Sequence, residues 1–287
     1  VKMIQKNRNF VLGAFIIAIS HLLVKAIGAI YKIPLDRFIL LPEGMGIYNS
    51  SYTIYNWLFV VSTAGIPVAI SKMIAEAKAK GNFNEAKKIF RVSKMLLFFV
   101  GIAAFGIMFF FAKEFSYIIS APSTYLTMMV MAPSLFFVSM SSAYRGFYQG
   151  QQNMMPTAIS EVIEAFSKLV FGLSIAYVLN KSYAKHISSA GAISGVTIGT
   201  AISFLFLVVY NFFGIRSFPQ NSTGTKTSTS GKILKNLVAI SIPITLGVSV
   251  FTLTSIIDTT MVMNQLKNLG FAETERLSMY GYLNRAI

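Results

Sequence analysis

The sequence predicts an all-α integral membrane protein, and three observations support this prediction. The 287 residues are 54% hydrophobic and only 12% charged, whereas soluble domains have about 25% charged residues. The apolar residues form runs of about 20 or more, as membrane-spanning helices require. The net charge of +15 comes from lysines and arginines crowded between those runs. A nucleic-acid-binding protein could carry this charge but not this hydropathy, so we predict no nucleic-acid partner.

Seven apolar runs are long enough to cross a bilayer, and the start of an eighth lies near residue 276. The first run follows a basic N-terminus and continues to about residue 33. A signal peptide has a short apolar core and then a small-residue cleavage site, so we interpret this run as a retained first helix. The predicted spans are 10–37, 46–74, 89–112, 118–142, 156–179, 189–213 and 234–262.

Basic residues are unevenly distributed between the loops, which predicts the orientation of the chain. Because positive residues are retained on the cytoplasmic side, we predict a multi-pass protein of the bacterial cytoplasmic membrane with a cytoplasmic N-terminus. The basic stretch 72–91 is predicted to be amphipathic and to lie at the inner membrane surface. The cytoplasmic set is Lys2, Lys6, Arg8, Lys78, Lys80, Lys87, Lys88, Arg91, Arg145, Arg216, Lys226, Lys232 and Lys235; the opposite set is Arg37, Lys113, Lys181, Lys185 and Lys267.

One polar segment divides the chain. Residues 216–232, RSFPQNSTGTKTSTSGK, are rich in Ser, Thr and Gly and predict a flexible cytoplasmic linker. Six predicted helices precede the linker, and a new series of helices begins after it, as in two-lobe transporters. We therefore predict a first lobe at 1–215, the linker at 216–232, and the start of a second lobe at 233–287. We expect the rest of the second lobe to follow Ile287.

The first span contains a polar stripe. His21, Lys25, Gly28 and Lys32 are spaced by 4, 3 and 4 residues, so they share one helix face. Lys25 lies ~22 Å along the helix from Phe10, beyond the middle of a ~30 Å hydrocarbon core. Snorkelling to the interface explains Lys32 better than Lys25, so we expect Lys25 to face a water-filled cavity.

The fifth span repeats this spacing with Thr157, Glu161, Glu164 and Lys168. Glu164 and Lys168 are four residues apart and are predicted to pair, which would lower the cost of insertion. Glu161 is then left to pair with Lys25 across the lobe or to bind a cation. Ionisable groups inside a span usually face a cavity or a partner.

The seventh span holds Asp258, whose insertion unpaired would cost ~3 kcal/mol. A base in the second lobe is one candidate partner, and a functional role is the alternative. Three prolines, Pro67, Pro133 and Pro243, lie within or near spans and predict kinks, because each removes a backbone hydrogen bond.

Three stretches of the sequence carry a more specific pattern. They are SAYRGFYQGQQNMMPTAISEVIE at 142–164, YNSSYTIYNWLFVVSTAGIPVAISKMIAEA at 48–77 and SIIDTTMV at 256–263. Together they resemble the stage V sporulation protein B and polysaccharide transporter family of the multidrug/oligosaccharidyl-lipid/polysaccharide (MOP) flippase superfamily. The resemblance extends along essentially the whole chain.

The resemblance implies a MOP-type fold of two six-helix lobes around a central cavity, of which this chain holds the first lobe and the first helices of the second. It also implies the movement of undecaprenyl-pyrophosphate-linked sugars from the inner to the outer leaflet. Related lipid II flippases have an Arg-x-x-Gly…Arg pattern in their first helix. Lys25 occupies the first basic position here, and Tyr31 the second, with Lys32 next to it. A further arginine of those flippases corresponds to Thr53, which with Asn56 completes the expected cavity.

The favoured function is therefore a flippase for a lipid-linked anionic sugar, serving cell-wall, spore-cortex or polysaccharide synthesis. A cation-coupled multidrug exporter of the same superfamily is the alternative, and a non-transporting membrane scaffold is a third hypothesis. The expected partners are the substrate, the bilayer and a coupling ion, H⁺ or Na⁺. We predict no catalytic residues and no cofactor. The chain has no cysteine and two histidines, which argues against a metal site.

Overall fold

The computed structural model describes residues 2–214 and 227–284, and helices joined by short turns make up these residues. A π-helix, Leu35–Leu40, joins the first two α-helices, and a short 3₁₀ turn, Pro122–Thr124, precedes α6. The α-helices are α1 Lys2–Pro34, α2 Leu41–Thr63, α3 Ile66–Ala79, α4 Phe83–Phe110, α5 Ala112–Ile118, α6 Tyr125–Gly150, α7 Met155–Ser182, α8 Lys185–Gly214, α9 Ser230–Asn268 and α10 Glu273–Leu283.

Six stretches of the described residues are long and apolar enough to cross a membrane. The first, Leu12–Ala79, has 68 residues and contains α1, α2 and α3. At 1.5 Å per residue it is ~100 Å long, which is enough for two crossings. The stretches therefore accommodate all seven predicted spans. Helix α10 is too short to cross, so the eighth span stays a prediction. Of the predicted linker 216–232, only residues 227–232 are described, and α9 already begins at Ser230.

The second predicted span, 46–74, is broken at residues 64–65. Helix α2 ends at Thr63, and α3 begins at Ile66 with Pro67 in its first turn. A Cβ atom on Gly65 would lie 2.2 Å from the Ser241 carbonyl oxygen of α9, so only glycine fits between the two helices. The prediction of a break at Pro67 is confirmed, whereas α6 and α9 continue as helices through Pro133 and Pro243.

The specific motif at 142–164 is explained partly by helix packing. Gly146 and Gly150 on α6 face α3, where added Cβ atoms would lie 2.8 Å from the Pro67 carbonyl oxygen and from Ile74 Cβ. Small residues four positions apart let two backbones approach closely. The motif thus fixes α3 against α6.

A second glycine series packs α8 against α7. Gly191, Gly195 and Gly199 repeat every four residues on α8. A Cβ atom on Gly195 would lie 2.5 Å from Gly172 Cα, and one on Gly199 would lie 2.7 Å from the Glu164 carbonyl oxygen. One face of α7 is therefore pressed against the α8 backbone.

Replacing Gly195 by leucine is expected to separate α7 from α8 and to abolish accumulation of the folded protein, because no flexible side chain can yield at this contact. Size-exclusion chromatography of the detergent-solubilised protein would measure this loss. Gly106→Leu on α4 is the matched control, since an added Cβ meets only the Phe110 ring, at 3.9 Å. Equal yields of the two variants would contradict the packing argument.

Polar contacts tie the helices together at both ends. At one end, Lys78 Nζ donates to the Gln151 carbonyl oxygen at 2.8 Å, and the Ser228 amide donates to Glu85 Oε2 at 2.7 Å. The basic stretch 72–91 lies at this end, as the end of α3, a turn at Gly81 and the start of α4. Three of the basic loops predicted to be cytoplasmic therefore lie together.

At the opposite end, α10 crosses α2 through two glycines. Cβ atoms on Gly46 and Gly281 would each lie 2.0 Å from a carbonyl oxygen of the other helix, those of Leu277 and Pro42. The Ser123 amide also donates to Glu273 Oε1 at 2.8 Å. The bundle is thus closed at this end by backbone contact.

Candidate functional site

Two adjoining cavities, of about 390 and 400 Å³, lie between α1, α2 and α7. We call them together the central cleft. Both are lined by Gly28 and Tyr31 of α1, Tyr52 and Asn56 of α2, and Lys168 of α7. The first cavity extends toward His21 and the second toward Lys32, so the cleft follows the face of α1.

The structure brings most of the predicted site residues to this cleft. On α1, the lining positions His21, Val24, Gly28 and Tyr31 are spaced by 3, 4 and 3 residues and share one helix face. Lys25 is exposed and lines neither cavity, although it shares a helix face with His21, Gly28 and Lys32. The predicted lining residues that do reach the cleft are His21, Lys32, Thr53, Asn56, Glu161, Glu164 and Lys168.

Lys168 is surrounded by aromatic rings. Its ammonium nitrogen lies 5.1, 5.2 and 6.0 Å from the ring centroids of Tyr31, Tyr52 and Tyr48. We call these three tyrosines the tyrosine cage. Ring faces attract a cation within about 6 Å, so the cage stabilises the charge without neutralising it.

The cage is held in place by α8. The Tyr31 hydroxyl donates to the Ala192 carbonyl oxygen at 3.0 Å. This bond passes over Gly172, where a Cβ atom would lie 3.0 Å from the Tyr31 ring and 2.9 Å from the Ala192 oxygen. Tyr31 is 3% exposed, so its ring has a fixed orientation beneath Lys168.

The predicted pair of Glu164 with Lys168 does not form. Glu164 Oε2 instead accepts from Arg145 Nη2 at 2.8 Å. Arg145 also donates to the hydroxyls of Ser160 at 3.0 Å and Ser203 at 3.1 Å, and therefore links α6, α7 and α8. Arg145 was predicted to lie in a cytoplasmic loop, but α6 extends to Gly150 and therefore includes it. The Arg145 side chain is only 14% exposed.

Glu161 contacts neither Lys25 nor a second lysine. Its Oε2 atom lies 3.2 Å from His21 Nε2, at an angle that does not make a hydrogen bond. That oxygen is buried and accepts no hydrogen bond from the described residues. The two carboxylates of the cleft thus have separate basic neighbours, and neither of them is Lys168.

The predicted residues of α2 and α9 differ in their roles. The Thr53 hydroxyl donates to the Asn49 carbonyl oxygen at 3.1 Å and lies 3.5 Å from the Thr259 hydroxyl of α9. Asn56 lines both cavities of the cleft. Asp258 is exposed on α9 and lines neither cavity.

A third cavity, of about 750 Å³, adjoins the cleft at the closed end of the bundle. It shares Lys32 and Asn49 with the cleft and adds Asp36 and Arg37 from the π-helix. Among residues 2–214 and 227–284, no three His, Asp or Glu side chains lie close enough together to hold a metal ion. The cavities are lined by basic, acidic and neutral polar side chains.

Comparison with known proteins identifies the family. A family model described as polysaccharide biosynthesis protein matches residues 10–286. The chain belongs to this family. Membership of the polysaccharide biosynthesis protein family confirms the resemblance inferred from the sequence.

Curated relatives of the chain include two proteins from Bacillus subtilis (strain 168). Stage V sporulation protein B is 25% identical over 279 residues, which cover 96% of this chain and 53% of that protein. The lipid II flippase MurJ is 25% identical over 180 residues, which cover 60% of this chain and 33% of the flippase. The chain thus spans about half the length of stage V sporulation protein B.

Solved structures show the fold that the chain shares. A MOP superfamily transporter from Pyrococcus furiosus matches with a TM-score of 0.68 at 16% identity, over 94% of this chain and 61% of that one. The inward-facing form of a multidrug resistance transporter matches with a TM-score of 0.65 at 15% identity, over 91% and 60%. The chain is an all-α, multi-pass membrane protein with the MOP-type fold.

Sequence reasoning missed the tyrosine cage and Arg145. A signal for part of the cage was present, because Tyr48, Tyr52, Tyr55 and Phe59 are spaced by 4, 3 and 4 residues along α2. No comparable signal existed for Arg145, whose partners lie 15, 19 and 58 residues away in the chain.

Proposed function

We propose that this protein is a flippase that moves an undecaprenyl-pyrophosphate-linked oligosaccharide from the inner to the outer leaflet by alternating access. The observation that carries the proposal is Lys168. It lies 13 residues from either end of its span, Met155–Lys181, and so ~20 Å from each. Among the described residues, no carboxylate lies within ion-pair distance of its ammonium group.

A cation without a carboxylate partner at mid-membrane depth suits an anionic head group. A lipid-linked diphosphate carries about two negative charges, and its polar groups cost several kcal/mol each when unsatisfied in hydrocarbon. The ammonium of Lys168 supplies a compact countercharge, and the cleft supplies a polar path. The cage weakens the attraction between the ammonium and the diphosphate, because the tyrosine rings already stabilise part of the positive charge.

The membrane potential would assist outward movement of such a substrate. An inside-negative potential of 100 mV is worth ~2.3 kcal/mol for each negative charge that crosses the whole field. This direction requires a cytoplasmic N-terminus in the bacterial cytoplasmic membrane, which the clustering of basic loops at one end supports. No bond is made or broken in this process, so the proposed role is that of a transporter and not of an enzyme.

Coupling to H⁺ or Na⁺ would use the acidic residues of the cleft. The hydrogen-bond capacity left on Glu161 supports a coupling role at that residue. A cation-coupled multidrug exporter would need further carboxylates to bind a cationic drug, and the other cleft carboxylate, Glu164, is paired with Arg145. The flippase is therefore the better-supported function.

Transport by the whole protein in unilamellar vesicles distinguishes these functions. With a fluorescent undecaprenyl-pyrophosphate-linked sugar in both leaflets, we expect a membrane-impermeant quencher to reach nearly all of the probe in protein-containing vesicles. Only about half should be reached in protein-free vesicles. Accumulation of ethidium driven by a proton gradient, without lipid movement, would contradict the proposal in favour of the exporter.

A further inference from the structure

Helix α2 presents a second, uncharged polar stripe to the cleft. Asn49, Thr53 and Asn56 are spaced by 4 and 3 residues and all line the cavity that also contains Lys168. This stripe runs beside the tyrosines at 48, 52 and 55. One helix therefore offers amides, a hydroxyl and aromatic rings to the same space.

The two asparagines have hydrogen-bonding capacity that the protein does not use. Asn49 Nδ2 is buried and has no acceptor among the described residues. The Asn56 side chain makes no hydrogen bond within the described part of the chain and faces two cavities. A buried amide that is left unpaired costs about 1–3 kcal/mol. Asn49 Nδ2 therefore points to a ligand group that accepts its hydrogen bond, and the accessible amide of Asn56 faces the same cavity.

Thr53 differs from its two neighbours on the stripe. Its hydroxyl already donates to the Asn49 carbonyl oxygen. Thr53 therefore lines the cavity without offering its hydroxyl proton to a ligand. The unused hydrogen-bonding groups of the stripe are the side-chain amides of Asn49 and Asn56.

From this arrangement we infer a sugar subsite: Asn49 and Asn56 bind the first sugar of the substrate while Lys168 binds the adjoining diphosphate. The inference rests on the proposed function. An amide donates and accepts in equal measure, as sugar hydroxyl and acetamido groups require. The stripe carries no charge, so it offers no countercharge to a second phosphate or to an ionised peptide.

The opposite wall of this cavity has matching chemistry. Ser255 of α9, Tyr280 of α10 and Asn284 line it, and each presents a neutral polar group. Asn284 Nδ2 donates to the Tyr280 carbonyl oxygen at 2.9 Å, which leaves its amide oxygen available. A sugar in the cavity would therefore meet uncharged polar groups of α2, α9 and α10, beside the ammonium groups of Lys32 and Lys168.

Binding of two probe lipids by the whole protein in nanodiscs tests the subsite. The probes are undecaprenyl diphosphate and the same lipid carrying one N-acetylglucosamine. We expect the wild type to bind the sugar-bearing lipid about tenfold more tightly, as two or three neutral hydrogen bonds would provide. Asn49→Leu and Asn56→Leu should each remove most of this preference and leave the affinity for undecaprenyl diphosphate unchanged. That unchanged affinity also shows that the variants are folded.

Asn268→Leu is the matched control, because Asn268 is exposed at the end of α9, and it should retain the full preference. Equal binding of both probes by the wild type, or a preference that survives in both asparagine variants, would overturn the subsite and leave the proposed function standing. An equal loss of both probes in the asparagine variants would also overturn it. Failure of the wild type to bind either probe would instead refute the proposed function.

Discussion

Replacing Lys168 by glutamine is expected to lower transport of the lipid-linked sugar by about 100-fold. Loss of a charged partner from a desolvated, hydrogen-bonded pair costs about 2–5 kcal/mol, and Lys168, at the middle of its span, is the proposed countercharge of the diphosphate. Glutamine has a similar length and still reaches the tyrosine cage. The quencher-accessibility assay on vesicles containing the whole protein measures the effect.

Lys181→Gln is the matched control for this substitution. Lys181 lies on the same helix, with its ammonium 4.6 Å from the Tyr177 ring centroid, but at the exposed end of α7. Its replacement should leave transport within twofold of the wild type. Lys168→Arg, which keeps the charge, should recover part of the activity. If Lys168→Gln transports as fast as Lys181→Gln, the assignment of the phosphate site is incorrect.

Replacing Arg145 by methionine is expected to destabilise the first lobe by about 3 kcal/mol, because removal of one partner of a largely buried ion pair leaves an uncompensated charge. Arg145 and Glu164 are only 14% and 28% exposed at their side chains. The hydroxyls of Ser160 and Ser203 would also lose their guanidinium donor. The temperature at which the purified protein loses monodispersity on size-exclusion chromatography measures the change.

The double variant Arg145→Met, Glu164→Gln separates charge from packing. Because the double variant no longer contains a buried unpaired carboxylate, it should regain most of the stability that the single variant loses. If the double variant is as unstable as Arg145→Met alone, the guanidinium acts through its contacts with the two serines and not through the ion pair.

The number and order of the spans could be predicted from the sequence, because the hydrophobic length of a membrane segment is a local property. The break at Pro67 was predictable for the same reason, since proline acts on its own helix. The C-terminal end of α6 could not be predicted in this way. The run of apolar residues stops near residue 142, but the helix extends to Gly150 because Gly146 and Gly150 pack on α3.

The sequence indicates which residues of each helix share the face that lines the cleft. It does not indicate which side chains contact each other across the cleft. Periodicity correctly grouped Glu161, Glu164 and Lys168 on the face of α7 that lines the central cleft. It could not show that Arg145 of α6 would form the ion pair with Glu164. Nor could it show that Lys168 would contact tyrosine rings instead of Glu164. By the resemblance described above, Tyr31 stands at the second basic position of the lipid II flippase pattern. The Lys168 ammonium lies 5.1 Å from the centroid of the Tyr31 ring.

The tyrosine cage is built entirely from residues of α1, α2 and α7, which all lie within the predicted first lobe, 1–215. If the two halves rock against each other during transport, the surroundings of Lys168 move as one body and do not change. The head group would then be held with the same strength whichever leaflet the cleft opens to. Such a carrier accelerates movement in both directions equally, so the net flux of lipid is governed by the membrane potential and by consumption of the sugar outside.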